Sequence, residues 1–395
     1  MKQKNWKTVK LKSISEYIQR GKSPKYTDLS ELPVVNQKCV RLNGIDRAHL
    51  KYVHPDQFPN WNEERYLKDG DLLWNSTGTG TIGRACLYQQ TRVNEKIVVD
   101  SHVTIVRPNK ELASKYLFYW INGPVIQGKV IAMQAGSTNQ VELSKSAIED
   151  TIIPLPPLLE QHRIAAILDK ADGLRRKRAE TIKLLDQFLR SVFLEMFGDP
   201  NTNPKGWQKH KLNQIGTLDR GKSKHRPRNA PELLGGAYPL VQTGDVANCG
   251  GYITKYEQRY SELGLKQSRM WPRGTLCITI AANIAKTGIL NFDACFPDSI
   301  VGFTPSKNVR TEYVQFWLSF LQKKLEETAP ESAQKNINLR ILRNLDVPLP
   351  PLDLQNKFIS VVMRNKKIKE NMEHETAELG LLFNSLAQRA FRGEL

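Results

Sequence analysis

Five basic side chains alternate along a short stretch in the second half of the chain: Arg220, Lys222, Lys224, Arg226 and Arg228. In an extended segment, side chains two residues apart point to the same face, so all five positive charges would lie on one side. Such a row suits contact with the phosphates of a nucleic-acid backbone. The first half has a similar row with only three basic residues, Arg20, Lys22 and Lys25. The alternative interpretation is a solvated basic loop.

Two glycine-rich motifs resemble nucleotide-binding loops, but neither is followed by the helix that such a loop needs. The stretch from Gly216 to Ser223 matches GxxxxGK[ST], which needs a helix directly after it, whereas Pro227 and Pro231 forbid a regular helix there. The stretch from Gly78 to Gly83 matches GxGxxG, yet a strand-like segment follows it where a dinucleotide or methyl-donor site would have a helix. We therefore expect no nucleotide site at either motif, and a glycine-rich hairpin at the second.

Short polar side chains on the glycine-rich and variable loops are candidates for contact with base edges. Arginine with guanine, and asparagine or glutamine with adenine, are the pairings that geometry favours. The candidates in the first half are Asn43, Asp46, Asn75, Thr77, Thr79 and Arg84. Those in the second half are Gln242, Asp245, Thr279 and Asn283. Each of them also has a purely structural interpretation.

The residue patterns of DNA-processing catalysts are missing from the sequence. A restriction-nuclease core needs Asp/Glu-x-Lys to hold Mg²⁺, and no such triplet occurs. Both Pro-Pro pairs follow leucine, so neither forms the Asn/Asp-Pro-Pro-aromatic motif with which amino-methyltransferases hold a flipped base. The seven histidines show no HExxH or HxE spacing, and the five cysteines form no CxxC pair. We expect neither catalysis by this chain alone nor a bound metal or cofactor.

The overall charge favours a polyanionic partner. The chain has 58 basic and 40 acidic residues, for a net charge of +18. A generally basic surface is the alternative. The N-terminus has no apolar signal region, and no run of 18 apolar residues occurs, so we expect a cytoplasmic protein without membrane contact.

Two long helices must position these loops. The first is predicted between the Pro154–Pro157 run and Gly198, because proline cannot continue a helix on its N-terminal side. The second follows Pro351. Apolar positions recur at alternating steps of three and four, as in a coiled-coil seam. The predicted seam consists of Ile164, Leu168, Ile182, Leu185 and Leu189 in the first helix, and Phe358, Ile368, Met372, Leu379 and Leu382 in the second.

The two halves repeat one plan. Arg20-Gly-Lys-Ser23 recurs as Arg220-Gly-Lys-Ser223, and Asp100-Ser101 recurs as Asp298-Ser299, in the same order. This predicts an α+β chain with two globules, each a mixed, mostly antiparallel sheet plus helices, related by an internal pseudo-twofold duplication. The predicted segments are a globule over 1–157, a spacer helix over 158–198, a second globule over 199–351 and a second spacer helix over 352–395.

The order globule, helix, globule, helix predicts that the two helices pair antiparallel and separate the globules. Matching the helix ends brings Arg178 near Glu375, and we hypothesise that this pair fixes the register. The alternative is that the helices splay there and both charges are solvated.

The duplicated Pro-Leu-Pro-Pro-Leu runs (154–158 and 348–352), followed by Gln161 and Gln355, resemble the specificity (S) subunit of type I restriction–modification systems. So does the Ala390-Phe-Arg-Gly-Glu-Leu395 ending. The resemblance implies that each globule is a target recognition domain that reads one half of a split DNA sequence. Gly136-Ser-Thr-Asn-Gln140 resembles a loop of the family, whereas Ser332-Ala-Gln-Lys335 lacks its glycine, so the role of that loop is not carried over to the second copy.

The same resemblance implies partners with their own cofactors. Two modification subunits would dock on the helices and methylate adenine N6 with S-adenosylmethionine. Restriction subunits would join for cleavage with ATP and Mg²⁺. We therefore expect a non-catalytic subunit that reads an asymmetric, bipartite duplex target.

Two other classes remain open from the sequence. One is a structural coiled-coil adaptor with protein-binding globules, which predicts weak, sequence-indifferent DNA binding at raised salt. The other is a fused restriction enzyme, against which the missing acidic-x-Lys triplet argues. The recognised bases and the gap between half-sites cannot be predicted from the sequence.

Overall fold

The computed structural model describes residues 6–78, 80–92, 94–135, 142–225, 227–281, 284–327 and 337–395. The chain divides into two compact units. The first unit comprises Met1–Glu180 and Glu373–Leu395, and the second comprises Thr181–Met372. The division passes through both long helices, so each unit contains a globular portion and one segment of each helix.

The first unit contains fourteen strands among its described residues. They are β1 (Thr8–Lys10), β2 (Ser15–Arg20), β3 (Tyr26–Thr27), β4 (Pro33–Val35), β5 (Val40–Arg41), β6 (Gly44–Ile45), β7 (Lys51–Val53), β8 (Leu72–Asn75), β9 (Ala85–Leu87), β10 (Val98–Val99), β11 (Val103–Pro108), β12 (Gln134–Ala135), β13 (Glu142–Leu143) and β14 (Ile152–Pro154). Its helices are α1 (Ser114–Ile121), α2 (Pro124–Gln127), α3 (Lys145–Glu149) and the start of α4 (Leu158–Phe197). Short 3₁₀ helices cover Leu11–Ile14, Arg47–His49, Pro55–Asn60 and Glu63–Arg65.

The first globule contains two four-stranded sheets and the two-stranded pairs β1–β14, β5–β6 and β12–β13. One has the order β2-β11-β8-β9 and is antiparallel throughout. The other has the order β10-β4-β7-β3, in which only the β10–β4 pair is parallel. Because side chains alternate along a strand, Leu72 and Trp74 of β8 pack on the helical side, while Leu73 packs into a second core. The central sheet is therefore buried on both faces.

The second unit repeats this architecture with different strand lengths. Its strands are β15 (Lys209–Lys211), β16 (Gly216–Arg220), β17 (Leu234–Leu240), β18 (Tyr252–Ile253), β19 (Gln258–Tyr260), β20 (Met270–Trp271), β21 (Leu276–Thr279), β22 (Thr287–Leu290), β23 (Ala294–Cys295), β24 (Ile300–Pro305) and β25 (Asp346–Pro348). Its helices are α5 (Thr243–Ala247), α6 (Glu262–Lys266), α7 (Thr311–Glu327), α8 (Leu339–Arg343) and the start of α9 (Leu352–Phe391), with 3₁₀ turns at Leu212–Gln214 and Pro231–Leu233.

The sheets of the second unit have the orders β16-β24-β21-β22-β18 and β19-β17-β23-β20. The duplication extends to register. The antiparallel pair β1–β14 aligns Val9 with Ile153, and the antiparallel pair β15–β25 aligns His210 with Val347. The predicted α+β class, the mostly antiparallel sheets and the internal duplication are confirmed.

A buried glutamine closes each globule onto the helix that follows it. Gln161 accepts a hydrogen bond from the Ala113 backbone N–H (2.8 Å) and donates to the Pro156 carbonyl (2.9 Å). Gln355 accepts from the Arg310 N–H (2.9 Å) and donates to the Pro350 carbonyl (2.9 Å). Neither side chain is exposed, so each amide satisfies backbone groups that burial would otherwise leave without partners. This is the physical reason for the glutamine that recurs after each proline run.

The helices α4 and α9 are each 40 residues long and run antiparallel in both units. In the first unit, Arg178 forms an ion pair with Glu375 at 2.6 Å, as the sequence predicted. In the second unit, Asp186 pairs with Lys369 at 2.8 Å. The predicted antiparallel two-helix coiled coil is confirmed.

The predicted seam is correct in its first helix and partly wrong in its second. Ile164, Leu168, Leu189 and Phe358 are buried, and Ile182, Leu185, Met372 and Leu379 are partly buried. Ile368 and Leu382, however, are 41% and 53% exposed.

The error lies in the order of the three- and four-residue steps along α9. The prediction takes a step of three residues after Phe358, whereas the structure takes a step of four. Every second seam position therefore falls one residue later than predicted. Phe383 therefore replaces Leu382, and its ring lies under the Arg175 guanidinium at 4.7 Å and beside Tyr119. A large aromatic side chain gains more from burial than the leucine before it, which favours this phase.

Candidate nucleic-acid interface

Three of the five residues of the predicted basic row in the second unit alternate with buried residues. Arg220, Lys222 and Lys224 are exposed, whereas Gly221 and Ser223 between them are buried. We call these three residues the basic ridge. Arg228 is also exposed, but it forms an ion pair with Asp298 at 2.5 Å. Arg226 lies outside the described residues.

Close backbone packing explains the repeated Gly-Lys-Ser. The Gly221 N–H donates to the Ile300 carbonyl (2.9 Å), and a Cβ at this position would overlap the carbonyl oxygen of Phe296. Gly21 donates to Val103 in the same way (2.9 Å), and a Cβ there would overlap the Val99 carbonyl. In the described residues no helix follows Gly221 before the 3₁₀ turn at Pro231–Leu233. The motif is thus a point of close approach between segments, without the helix that a phosphate-binding loop needs.

A glutamine side chain holds the next part of the basic segment in both units. Gln57 Oε1 accepts from the Lys25 backbone N–H at 2.6 Å, and Gln267 Oε1 accepts from the Lys224 N–H at 2.6 Å. Neither glutamine could be predicted from the sequence, because each lies in a region where the two halves differ. The lysine side chains therefore project from a backbone segment that is held by the glycine contact at one end and by the glutamine side chain at the other.

The corresponding row of the first unit is shorter than predicted. Arg20 donates to the Ser101 carbonyl and forms an ion pair with Glu142 at 2.6 Å. These contacts occupy the guanidinium within the protein. Lys22 and Lys25 are exposed, so they are the charges that this row presents to solvent.

Two predicted base readers are buried and were wrongly assigned. Asn75 has no exposed surface, and its Nδ2 donates to the carbonyls of Gln37 (3.0 Å) and Thr81 (3.2 Å). Thr279, at the equivalent end of β21, also has none, and its Oγ1 accepts from the Lys286 N–H (3.1 Å). A base edge cannot reach either side chain in this structure. Both residues instead hold the hairpin turn that follows the strand.

The hairpin after β8 is the one predicted in place of a dinucleotide loop. β8 and β9 pair antiparallel, with Trp74 opposite Ala85. Arg84 donates weakly to the Val40 and Gly80 carbonyls (3.4 and 3.3 Å), and Thr77 is partly buried. Thr79 in this hairpin and Asn283 in the corresponding turn lie outside the described residues, as do the loop segments 136–140 and 332–335.

The other candidates in the first unit form a local turn. Asn43 is exposed, and Asp46 caps the 3₁₀ turn by accepting from the Ala48 N–H at 3.2 Å. Asp46 also lies 3.6 Å from Arg41 and 3.7 Å from His49. Asn43 is therefore available for an intermolecular contact, whereas Asp46 already has partners within the protein.

In the second unit, the start of α5 brings two predicted residues together. Asp245 accepts from the Gln242 backbone N–H at 2.8 Å, and burial raises the pKa of this carboxyl. The Gln242 side chain donates from Nε2 to Gln258 Oε1 at 3.0 Å. Gln258, which belongs to no repeated motif of the sequence, is exposed on strand β19.

A buried carboxylate organises the turn beside the first basic row. Asp100 accepts from the His102 backbone N–H (2.9 Å) and lies 3.1 Å from its ring Nδ1. Tyr26 donates to the same carboxylate at 3.3 Å. Burial, followed by the Asp100 charge, raises the pKa of Tyr26 to about 12, so its hydroxyl stays protonated near neutral pH.

Among the described residues, no group of three or more His, Cys, Asp or Glu side chains has the geometry of a metal site. Burial raises the pKa of Cys39 to about 11 and that of Cys86 to about 12, so neither thiol is an ionised nucleophile near neutral pH. No helix in the described part of the chain is long and apolar enough to cross a bilayer.

Comparison with known sequences identifies related proteins. A family model described as the type I restriction modification DNA specificity domain matches residues 3–184 and again residues 204–379. The chain is 23% identical over 391 residues to the EcoBI specificity subunit of Escherichia coli, covering 90% of this chain and 79% of that protein. It is 23% identical over 409 residues to the MjaVIII specificity subunit of Methanocaldococcus jannaschii, covering 93% and 89%.

Solved structures share the fold. A chain from a structure on complex assembly and conformational transition of the type I R-M system superposes with a TM-score of 0.61, at 18% identity, covering 99% of this chain and 98% of that one. The type I S subunit from M. genitalium superposes with a TM-score of 0.53 at 14% identity, covering 98% and 96%. At these identities the likeness concerns the fold.

Proposed function

The chain belongs to the type I restriction–modification DNA specificity family, and we propose that it selects the DNA sequence on which its partner subunits act. Each unit reads one half-site of a duplex target. Because the two units differ in their loops, the two half-sites differ, and the target is asymmetric and bipartite. The chain itself contributes recognition without catalysis.

One observation carries this proposal. Both units present lysines on the same backbone segment, fixed in each by a close glycine contact and a glutamine tether. Phosphate contacts of this kind position a protein on the duplex and carry no sequence information themselves. Around the shared framework the loops differ between the units, as expected if each unit reads different bases.

Exposed apolar side chains on the helices support docking of two equivalent partners. Leu174 of α4 and Ile368 of α9 occupy equivalent places after the two proline runs and are 58% and 41% exposed. Phe188 and Leu382 form a second equivalent pair, at 51% and 53%. Each unit thus has one member of each pair. We assign these positions to the docking of two modification subunits, one per unit.

The chemistry of modification and cleavage belongs to the partners in this proposal. The modification subunits hold S-adenosylmethionine and methylate adenine N6. Restriction subunits supply ATP-driven cleavage with Mg²⁺.

Methylome sequencing of cells that express this chain with its modification subunits tests the proposal. We expect one bipartite, asymmetric motif with methylated adenine in both halves. A control expresses the modification subunits alone and lacks the motif. Methylation without sequence preference, or DNA binding that is sequence-indifferent at raised salt, would instead favour a structural adaptor.

The helices also provide a test of spacing. One heptad inserted after Glu180, with a matching heptad after Met372, lengthens the helix pair by about 10 Å, equivalent to about three base pairs of rise. We expect the gap between the methylated half-sites to increase by about this amount while the half-sites stay unchanged. Retained methylation at the original gap would contradict a spacer role for the helices.

A further inference from the structure

Two glutamine side chains meet on the surface of the second unit. Gln242 directly precedes α5, and Gln258 opens β19, which lies at the edge of the sheet β19-β17-β23-β20. Gln242 Nε2 donates to Gln258 Oε1 at 3.0 Å. Gln258 is exposed and Gln242 is partly exposed, so both amides are accessible to a macromolecular partner.

The hydrogen-bonding capacity of this pair is only partly used by the contact between the two amides. Each amide has an oxygen with two lone pairs and an NH₂ group with two N–H donors, and the contact uses one N–H of Gln242 and one lone pair of Gln258. The Gln242 oxygen also faces the Asp245 backbone N–H in a capping box at the start of α5, and this fixes which way the Gln242 amide is turned. A second lone pair on the Gln242 oxygen and the Gln258 NH₂ group remain, so the pair offers an acceptor beside a donor.

Only one base offers the complementary pattern in the major groove. Adenine presents the N6 amino donor beside the N7 acceptor, whereas guanine presents two acceptors, cytosine one donor and thymine one acceptor with a methyl group. We propose that the Gln242–Gln258 pair reads one adenine in the half-site of the second unit. In this contact N6–H donates to Gln242 Oε1, and Gln258 Nε2 donates to N7. The inference rests on the proposed function and assigns one base within it.

The surroundings of the pair provide room for such a contact. The register between β17 and β19 shifts between Leu234 and Tyr238, and the displaced segment forms one wall of a cleft of about 570 Å³. Gly236 is required in that segment, since a Cβ there would contact backbone atoms of Ser261 and Tyr260. The cleft is also lined by the consecutive residues Tyr256, Glu257, Gln258 and Arg259, so it carries one acidic and one basic side chain.

Arg259 adds a positive charge at the residue that follows Gln258 in β19. Its guanidinium lies over the Tyr256 ring at 5.4 Å, and the side chain is exposed. Stacking on an aromatic ring limits the conformations of arginine and leaves its donors free for phosphate. Arg259 thus contributes affinity without base choice, while the glutamine pair contributes base choice.

The inference is tested by substitution of Gln258 in the complete complex with the modification subunits. Gln258→Leu removes the donor at similar volume and leaves the backbone of β19 intact. We expect the preference for adenine at one position of the second half-site to fall on the order of 10- to 100-fold, with all other positions unchanged. Gln258→Glu changes the donor into an acceptor, so preference at that position should shift toward cytosine, whose N4 amino group donates. Selection from a randomised target library, read by sequencing at fixed salt, measures both.

Arg259→Ala and Lys222→Ala are the matched controls, and both should lower binding to all sequences alike. Melting temperature and circular dichroism verify that each variant folds. A Gln258→Leu variant that folds and retains the wild-type preference at every position would overturn the assignment of adenine to this pair. So would a uniform loss of affinity. If the wild-type complex selects no sequence from the library, the proposed function itself fails, and the assignment fails with it.

Discussion

The two units keep the same supporting contacts and differ in what they present. Gly21 and Gly221 make the same close approach, and Gln161 and Gln355 each accept from a backbone N–H and donate to a proline carbonyl. In contrast, Arg20 is held by Glu142 in the first unit, whereas its counterpart Arg220 is exposed in the second. The contacts that set the backbone are thus conserved within the molecule, while the surface side chains have diverged.

The interiors differ as well. In the first unit Arg107 makes a bidentate ion pair with Asp71 at 2.8 Å through both contacts, and the Asp71 side chain is completely buried. Burial raises the pKa of Asp71, and the Arg107 guanidinium opposes that shift. The equivalent positions in the second unit hold Thr275 and Thr304, since β11 and β24 have matching registers with β8 and β21. One copy therefore has an ion pair where the other has two hydroxyls.

The largest expected effect on stability comes from removing the buried ion pair that only the first unit has. Asp71→Ala leaves the Arg107 charge buried without its carboxylate and should lower the free energy of unfolding by about 3–5 kcal/mol. Thr275→Ala, at the equivalent position, removes one hydrogen bond to the Pro272 carbonyl and should cost about 1 kcal/mol. Urea unfolding of both variants, with amide hydrogen exchange to locate the loss, measures the difference.

Hydrogen exchange also provides the control for this comparison. Asp71→Ala should increase exchange in β8 and β11, and Thr275→Ala should do so only in β21 and its neighbours. Equal losses of stability in the two variants would mean that the buried Asp71–Arg107 ion pair contributes no more to the free energy of unfolding than Thr275 does at the equivalent position of the second unit.

The basic rows give an intermediate effect on DNA binding. Replacing Arg220, Lys222 and Lys224 by alanine should reduce the slope of log K against log salt by about 2.7, because each lost phosphate contact changes it by about 0.9. Replacing Lys22 and Lys25 should reduce it by about 1.8. Fluorescence anisotropy of the complex on a fixed duplex measures both slopes. Identical slopes for both variants and the wild type would show that neither row contacts phosphate.

Several features of the fold could be predicted because they depend on local pattern. Proline runs and glycine end the helices, and the repeated landmarks give the duplication. The ion pair between Arg178 and Glu375 followed from matching the two helix ends. The phase of the seam in α9 did not follow, because Leu382 and Phe383 are adjacent and both apolar. Only packing against Arg175 and Tyr119 decides which is buried.

The candidate interface was harder to predict than the fold. Asn75 and Thr279 have the right side chains for base contact, yet their position at the end of a central strand buries them. Gln57, Gln267 and Gln258 carry no periodic or repeated signal, since they lie where the two halves diverge. Their roles depend on contacts between residues far apart in the sequence, which only the folded chain brings together.

The smallest effect on stability is expected for the ion pairs along the helix seam, of which each unit has one. Arg178–Glu375 in the first unit and Asp186–Lys369 in the second are both partly exposed ion pairs, so double-mutant cycles with alanine should give coupling energies of about 0.2–1 kcal/mol for each. If the first pair also fixes register, Arg178→Glu should destabilise the chain through repulsion from Glu375, and adding Glu375→Arg should restore most of the loss. Thermal unfolding of the single and double variants measures this. A double variant that stays as unstable as Arg178→Glu alone would remove the register hypothesis, because the reversed pair offers the same attraction at the same place.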